Sequence, residues 1–344
     1  MTTPVLQSPA VAAVARDGCV PRSVWRRPDG AIVRDLHPRE LAHVHASGEG
    51  VLWVDLDSTE TAQHALLEKM FRFHPLAIED TLNPKTRVKY EEYDGYLFVV
   101  MRGVRFCDET PDPYDIETVN LCFFLGPNWL VTVHAQAQVQ LDDLLTRAER
   151  SPEMLARGPA RVMHAILDAA VDSFFPTLER IDDFVDGLEE RVFSSGDQET
   201  LRDIFAVKRV VVTMRRHLAP AREVLNQLTN RPTELISAST QLYFRDVYDH
   251  VLRINDSLDA YRELLASTLD SYLSQVSNRF AQASKALGVV ATVTLPYVIV
   301  SGMWGMNFDR VPLAHHPYGF WILVGVQLCI SAVILLTLRR RGIL

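Results

Sequence analysis

The stretch Ser301–Pro312 reads SGMWGMNFDRVP and separates the two most apolar runs of the chain. No charged residue occurs over 286–304 or over 319–338, which are nineteen and twenty residues long. An α-helix needs about 20 apolar residues to cross the hydrocarbon core of a bilayer, so each run predicts one transmembrane helix. We therefore expect membrane spans at 286–305 and 319–338, joined by a short extracytoplasmic loop at 306–318.

Three arginines, Arg339–Arg341, follow the second run and begin a basic terminus at 339–344. Positively charged flanks stay on the cytoplasmic side of a membrane, which predicts a cytoplasmic C-terminus. Two crossings return the large N-terminal part to the same side. The sequence thus predicts a multi-pass protein of the inner or plasma membrane with both termini in the cytoplasm. Two buried helices of a soluble protein are the alternative, and the arginine flank argues against it.

Composition excludes several classes of function. The net charge of −8 leaves no basic domain that could follow a phosphate backbone, so we expect no nucleic-acid partner. The four cysteines are scattered without metal-ligand spacing. The chain has no P-loop, nucleophile elbow or HExxH motif, and we expect no enzymatic activity.

The cytosolic part is predicted to begin with a loosely ordered tail at 1–30 and an α/β domain at 31–160. Apolar and β-branched runs predict strands at Val51–Ser58 and Tyr96–Phe106 and a hairpin over Val119–His134. Strands interleaved with an amphipathic helix indicate one sheet with helices packed against it.

A helical stalk region is predicted over 161–285. Apolar periodicity favours helices at Val162–Phe193 and Thr200–Leu228. No proline occurs from Leu235 until Pro296, so one uninterrupted helix is expected to run from the cytosol into the membrane. At 1.5 Å per residue such a helix is about 100 Å long.

Two repeating patterns follow that last helix. Apolar residues at alternating spacings of four and three form a coiled-coil seam of Val247, Val251, Ile254, Leu258, Tyr261 and Leu265. Acidic residues recur every seven positions on another face, at Asp249, Asp256, Glu263 and Asp270. A solvated acidic face and a surface that concentrates cations explain the acidic repeat about equally well.

Three stretches resemble one family. Trp304–Asn307 reads WGMN at the end of the first span, His74–Gly103 begins HPLAIED, and Tyr243–His250 reads YFRDVYDH. These stretches are similar to those of the CorA-type magnesium transporters. The resemblance implies an α+β cytosolic domain (an α/β sandwich), a long helical stalk and two C-terminal transmembrane helices. It also implies a funnel-shaped homopentamer in the bilayer, with passive transport through a pore lined by the first span.

The resemblance implies that Gly305, Met306 and Asn307 form the outer selectivity filter. Mg²⁺ prefers oxygen ligands and gives up water reluctantly, so a ring of Asn307 amides would hydrogen-bond the hydrated ion. Gly305 would allow a close approach of backbone carbonyls or a tight turn, and Met306 would pack. Asn307 as a simple C-terminal helix cap is the alternative.

Projecting inward from the filter at helical spacing predicts the pore-lining residues. They are Ala281, Ser284, Leu287 (or Gly288), Ala291, Leu295, Val298 and Gly302. Leu287 and Leu295 would be apolar constrictions that gate by excluding water. Ala281, Ser284 and Val298 depart from the Asn, Met and Thr that the family tends to carry, which leaves cobalt, nickel, zinc or iron open as cargo.

A regulatory cation site is also implied by the resemblance. Asp80, with Glu79 beside it, would face Asp246 of a neighbouring subunit, and Mg²⁺ bridging the carboxylates would hold the assembly closed. An acid pair at a helix N-terminus is the alternative for Glu79 and Asp80.

We therefore expect a divalent-cation channel, Mg²⁺ being both its cargo and its regulator. A transition-metal transporter of the same fold and a membrane-anchored metal-sensing scaffold without transport are the two alternatives. A membrane-depth carboxylate would favour proton coupling, and neither span has one.

Overall fold

The computed structural model describes residues 20–107, 110–135, 139–194, 196–306, 312–313 and 316–341. It separates into two compact units. The first unit comprises residues 1–190 and 199–267, and the second unit comprises residues 191–198 and 268–344.

A mixed seven-stranded sheet forms the centre of the first unit. Its strands are β1 (Arg22–Arg26), β2 (Ile32–Arg34), β3 (Val51–Asp57), β4 (Lys89–Tyr93), β5 (Tyr96–Phe106), β6 (Ile116–Leu125) and β7 (Trp129–His134). Their order is β2-β1-β3-β7-β6-β5-β4, and every neighbouring pair is antiparallel except β3 and β7.

Six helices cover the two faces of this sheet. They are α1 (Pro38–Ser47), α2 (Thr61–Lys69), α3 (Pro75–Leu82), α4 (Val139–Arg150), α5 (Pro152–Ala156) and α6 (Pro159–Asp172). Helices α1 to α3 share a core with one face, whereas α4 to α6 contact the other through β1, β3, β6 and β7. Strand side chains alternate between the two faces of a sheet, and helices cover both faces here. The successive residues Leu52, Trp53 and Val54 are therefore all buried. The predicted α/β sandwich is confirmed.

The β6–β7 hairpin turns where the sequence predicts it. Leu125 pairs with Leu130, and the N–H of Gly126 donates to the carbonyl oxygen of Trp129 at 2.9 Å. A Cβ at Gly126 would lie 2.1 Å from the Trp129 ring, so the packing of that indole requires glycine.

Three long helices follow. They are α7 (Phe174–Ser194), α8 (Gln198–Asn230) and α9 (Ala238–Trp304), and the last continues from the first unit into the second. Within the first unit, five of the six predicted seam residues of α9 are fully buried: Val247, Val251, Ile254, Leu258 and Leu265. Tyr261 is half-buried and hydrogen-bonds Asp182. The expectation of one uninterrupted helix is confirmed, with Pro296 inside it.

Two boundaries differ from expectation. The stretch predicted as tail contains β1, whose Val24 pairs with Trp53 of β3 and is buried. The segment Val162–Phe193, predicted as one helix, ends and restarts at Ser173. Pro176 has no N–H to donate to the carbonyl oxygen of Asp172, so the helical hydrogen bonding is interrupted here. At the break, the Ser173 hydroxyl donates to the carbonyl oxygen of Ala170 at 2.7 Å.

The second unit contains the end of α9 and a further helix, α10 (Gly319–Arg340). Both helices are long and apolar enough to cross a membrane. A Cβ at Gly319 would lie 2.1 Å from the carbonyl oxygen of Leu313, so glycine allows the preceding chain to pass close to the start of α10. The structure thus agrees with the two predicted spans.

Candidate functional site

The predicted filter begins where α9 ends. Trp304 is the last residue of this helix, and its indole Nε1 donates to the carbonyl oxygen of Pro312 at 3.2 Å. The N–H of Gly305 still donates to the carbonyl oxygen of Ser301 at 3.0 Å. The Met306 side chain is exposed. Asn307, the residue that carries the predicted filter chemistry, lies outside the described residues.

Gly305 does not make a turn that only glycine can make. Its φ is not in the left-handed region, and a Cβ there would lie 3.4 Å from the Ser301 carbonyl oxygen. A turn does close here, since the N–H of Met306 donates to the carbonyl oxygen of Met303 at 3.3 Å, but its geometry does not require glycine. Close approach to a pore axis remains a prediction.

The predicted pore line lies along one face of α9. All of its members are exposed: Ala281, Ser284, Leu287, Gly288, Ala291, Leu295, Val298 and Gly302. Exposure alone does not distinguish this face, because no residue in the apolar window of the helix is buried.

Helix α10 contacts a different face of α9. The partly buried residues of the first span are Val289, Val293, Pro296, Tyr297, Val300 and Trp304. At about 100° per residue they lie roughly opposite the predicted pore line. The Ser331 hydroxyl donates to the Tyr297 hydroxyl at 2.9 Å, and Ser331 and Gln327 of α10 are buried. Helix α10 therefore packs on the far side and leaves the predicted line uncovered.

Asp80, the first predicted regulatory acid, already has a partner within its own chain. Lys89 Nζ lies 2.5 Å from Asp80 Oδ2 and 2.7 Å from Glu91 Oε1, and Thr86 Oγ1 donates to Asp80 at 3.2 Å. Burial would lower the pKa of Lys89, but hydrogen bonds to both carboxylates raise it above its ordinary value. A cation that binds Asp80 must therefore replace a fully charged ammonium group.

The other predicted regulatory acids lie on the surface. Glu79 is exposed on α3, and Asp246 is exposed near the start of α9. Within the part of the chain that the structure describes, neither Glu79 nor Asp80 shares a hydrogen-bonding partner with Asp246. The predicted site thus still needs a second subunit.

The acidic repeat Asp249, Asp256, Glu263 and Asp270 is exposed at every position. A hydrogen bond with Tyr248 raises the pKa of the Arg222 guanidinium, and the nearby charge of Asp256 adds to this shift. This arrangement fits a solvated acidic face, and cation concentration by these residues stays a prediction.

A candidate cation site that the sequence did not indicate lies one helical turn from Asp246. Asp168 and Asp172 of α6 and His250 of α9 present ligand atoms within 4.8 Å of one another. His250 Nδ1 lies 3.1 Å from Asp172 Oδ1. Burial, then the charge of Asp172, raises the pKa of Asp168, as expected where like charges share a site without a cation. The i, i+4 spacings within each helix were visible in the sequence, but their meeting was not.

Comparisons with known proteins agree with this architecture. Residues 48–340 match the model of the CorA-like Mg²⁺ transporter protein family. The chain is 30% identical over 274 residues to the cobalt/magnesium transport protein CorA of Thermotoga maritima, covering 79% of this chain and 77% of that protein. It is 24% identical over 316 residues to the protein of the same name from Methanocaldococcus jannaschii, covering 91% and 96%.

A solved structure shows the same fold over nearly the whole chain. The complete structure of the CorA magnesium transporter from Methanocaldococcus jannaschii superimposes with a TM-score of 0.80, covering 95% of this chain and 99% of that one. At 20% sequence identity this likeness concerns the fold alone. The family match, which takes in most of the chain, together with the relative at 30% identity, shows that this chain belongs to the CorA-like Mg²⁺ transporter family.

Proposed function

We propose that this chain transports divalent cations, Mg²⁺ foremost, across a membrane through a pore that several copies build together. The observation that carries the proposal is the geometry of the first span: α10 contacts one face of α9, and the opposite face, which includes Ala291 and Leu295, is uncovered. One pair of spans cannot enclose a conduit. A homopentamer with this face turned to its axis is the assembly that the family resemblance suggests.

In this proposal Gly305, Met306 and Asn307 form the filter at the outer mouth. Asn307 amide oxygens accept hydrogen bonds from the water around the ion, so the hydrated cation is recognised without being stripped. In this proposal an inside-negative membrane potential drives the divalent cation inward. The described parts of the spans carry no carboxylate that could couple protons to this movement.

Flux into liposomes tests this role. Full-length protein is reconstituted with an entrapped Mg²⁺-sensitive dye, and Asn307→Ala is expected to reduce the initial rate at least tenfold. Asn278→Ala is the control, because Asn278 is exposed on α9 and lies off the pore line. Equal rates in wild type and Asn307→Ala would rule out the filter role. A parallel series with Zn²⁺ and Co²⁺ ranks the alternative cargo.

We further propose that cytosolic Mg²⁺ regulates this pore at the interface where Asp80 of one copy meets Asp246 of the next. The cluster of Asp168, Asp172 and His250 lies near Asp246: burial and the charge of Asp172 raise the pKa of Asp168, and the charge of Asp246 adds to this shift. Carboxylates that face each other without a cation repel, so Mg²⁺ would stabilise the closed arrangement.

Limited proteolysis tests the regulatory role. Trypsin cleavage of the reconstituted protein is expected to slow as Mg²⁺ rises, and Asp246→Asn should move the midpoint at least tenfold higher. Asp29→Asn, in the β1–β2 connection, is the control. A midpoint that is the same in the wild type and in Asp246→Asn would rule out this site and leave the transport proposal standing.

A further inference from the structure

One arginine of the sheet joins three parts of the first unit. Arg102 lies on β5, and its guanidinium donates to the carbonyl oxygens of Pro84 at 2.8 Å and Thr86 at 2.6 Å. Its Nε donates to Asn120 Oδ1 on β6 at 2.7 Å, and its Nη1 lies 3.1 Å from His217 Nδ1 on α8. Arginine has five N–H donors in a planar fork, so one side chain can hold all these acceptors at once.

The loop that Arg102 holds follows the predicted regulatory acid directly. It runs from the end of α3 to Thr86, which is buried, and the Thr86 hydroxyl donates to Asp80 Oδ1 at 3.2 Å. Asn120 Nδ2 adds a hydrogen bond to the carbonyl oxygen of Asn83 at 3.2 Å. Side chains of β5 and β6 therefore hold three carbonyl groups of this loop, and the position of the Asp80 carboxylate depends on them.

His217 links this arrangement to α8. A guanidinium can only donate, so the imidazole Nδ1 accepts and the ring proton stays on Nε2. Burial, then the charges of Arg102 and Arg216, lower the pKa of His217, and the ring is therefore neutral at pH 7, as this hydrogen bond requires. Arg102 thus connects the loop beside Asp80 to a helix that is distant in sequence.

Helix α8 can carry a movement further. Pro220 lies three residues after His217 and has no N–H for the helical hydrogen bonds, so α8 bends more easily at this level. The helix begins at Gln198, in the second unit, where Arg279 of α9 donates to the carbonyl oxygen of Gly196 at 3.5 Å. One continuous helix thus leads from His217 to the segment that contacts α9 just before the first predicted span.

We propose that Arg102 is a positioning residue of the Asp80 site, and that its contact with His217 couples cation binding there to helix α8. A cation that binds Asp80 replaces the Lys89 ammonium, which changes the partners of this carboxylate and shifts Thr86, which donates to it. The shift reaches α8 because one guanidinium holds both the loop and the helix. This coupling rests on the regulatory role proposed above for Asp80, since without a cation there is no change to transmit.

Hydrogen–deuterium exchange of the full-length protein in nanodiscs tests the coupling. Backbone exchange is followed by mass spectrometry in two peptides, one covering 80–88 and one covering 212–222, over a Mg²⁺ titration. In the wild type we expect Mg²⁺ to slow exchange by about fivefold or more in both peptides, with one common midpoint. Protection of 80–88 alone would overturn the coupling and leave the regulatory site standing, whereas no Mg²⁺ effect in either peptide would overturn both.

Two substitutions at His217 separate the hydrogen bond from packing. His217→Asn keeps an acceptor oxygen near the position of Nδ1, whereas His217→Leu removes the acceptor and matches the imidazole more closely in volume. We expect His217→Leu to abolish the Mg²⁺ effect on 212–222 and keep that on 80–88, and His217→Asn to retain both. Retention in His217→Leu together with loss in His217→Asn would indicate packing and overturn the coupling.

Arg102→Gln tests the positioning role. The loop carbonyl groups lose their guanidinium donors, so the Mg²⁺ midpoint for protection of 80–88 should rise by about fivefold or more. Arg209→Gln is the control, because Arg209 is exposed on α8. A wild-type midpoint in Arg102→Gln would overturn the positioning role. The two His217 variants leave the loop hydrogen bonds in place, so they decide the coupling even where Arg102→Gln weakens the fold.

Discussion

Lys89 shows how much a single side chain changes the expectation for a predicted site. The sequence marks Asp80 as a carboxylate for a cation, yet the structure places the Lys89 ammonium 2.5 Å from it and binds the same ammonium to Glu91. Tyr93 donates to Glu91 at 2.9 Å, and burial and then that hydrogen bond raise its pKa to about 12. Asp80 therefore belongs to a network that competes with a divalent cation.

Removing this competitor should tighten the regulatory site. Lys89→Gln is expected to move the Mg²⁺ midpoint of trypsin protection several-fold lower, because the cation no longer displaces an ammonium group. Lys85→Gln, an exposed lysine nearby, should leave the midpoint unchanged. A higher midpoint in Lys89→Gln would contradict the competition.

His164 predicts a pH dependence of stability. Its pKa is about 4 in the folded state, against 6.5 in the unfolded chain, because burial disfavours the imidazolium. Between these values the unfolded state binds more protons, so the free energy of unfolding falls as pH drops from 6.5 towards 4.

Thermal denaturation of the detergent-solubilised protein measures this effect. His164→Gln, which does not titrate, should lose stability less steeply over that pH window, with a difference of at least about 1 kcal/mol. His43→Gln, exposed on α1, is the control. Parallel pH profiles of wild type and His164→Gln would contradict the assignment.

At the scale of elements, periodicity predicts much of the structure. The strands at β3, β5, β6 and β7 and the long helix α9 form where alternation or helical spacing indicates them, because these patterns reflect burial of one face. The break at Ser173 depends on Pro176, which the apolar periodicity alone does not register. Helix α9 has two different faces in its apolar half, one contacted by α10 and one uncovered.

Cysteine accessibility tests which face of α9 lines a conduit. In a Cys329→Ser background, Ala291→Cys is expected to react with a charged methanethiosulfonate reagent and to lose flux on reaction. Val293→Cys, on the face that α10 covers, should react at least tenfold more slowly. Faster labelling at Val293 than at Ala291 would reverse the proposed orientation.

At the scale of the whole molecule, two apolar helices and an uncovered line of small and aliphatic residues do not form a pore in one copy. An exposed apolar face in the membrane finds either lipid or another protein chain, and small residues such as Ala291 and Gly302 favour close helix contact. The transport that we propose therefore requires self-association.

Native mass spectrometry from nanodiscs checks the number of copies. We expect a single species of five times the 38.9 kDa of one chain. A monomer under conditions that preserve flux would refute the shared pore, and another closed ring would correct only the copy number.

The sequence by itself determined the two spans, the end of the first at Trp304 and the seam of α9, because each depends on residues close together along the chain. Only the tertiary structure decided that Asp172 and His250, 78 residues apart, would meet, that Lys89 would bind Asp80, and that α10 would cover one side of α9. The physical reason is that periodicity defines which face of an element is apolar, whereas the packing of all elements together selects the face that it meets.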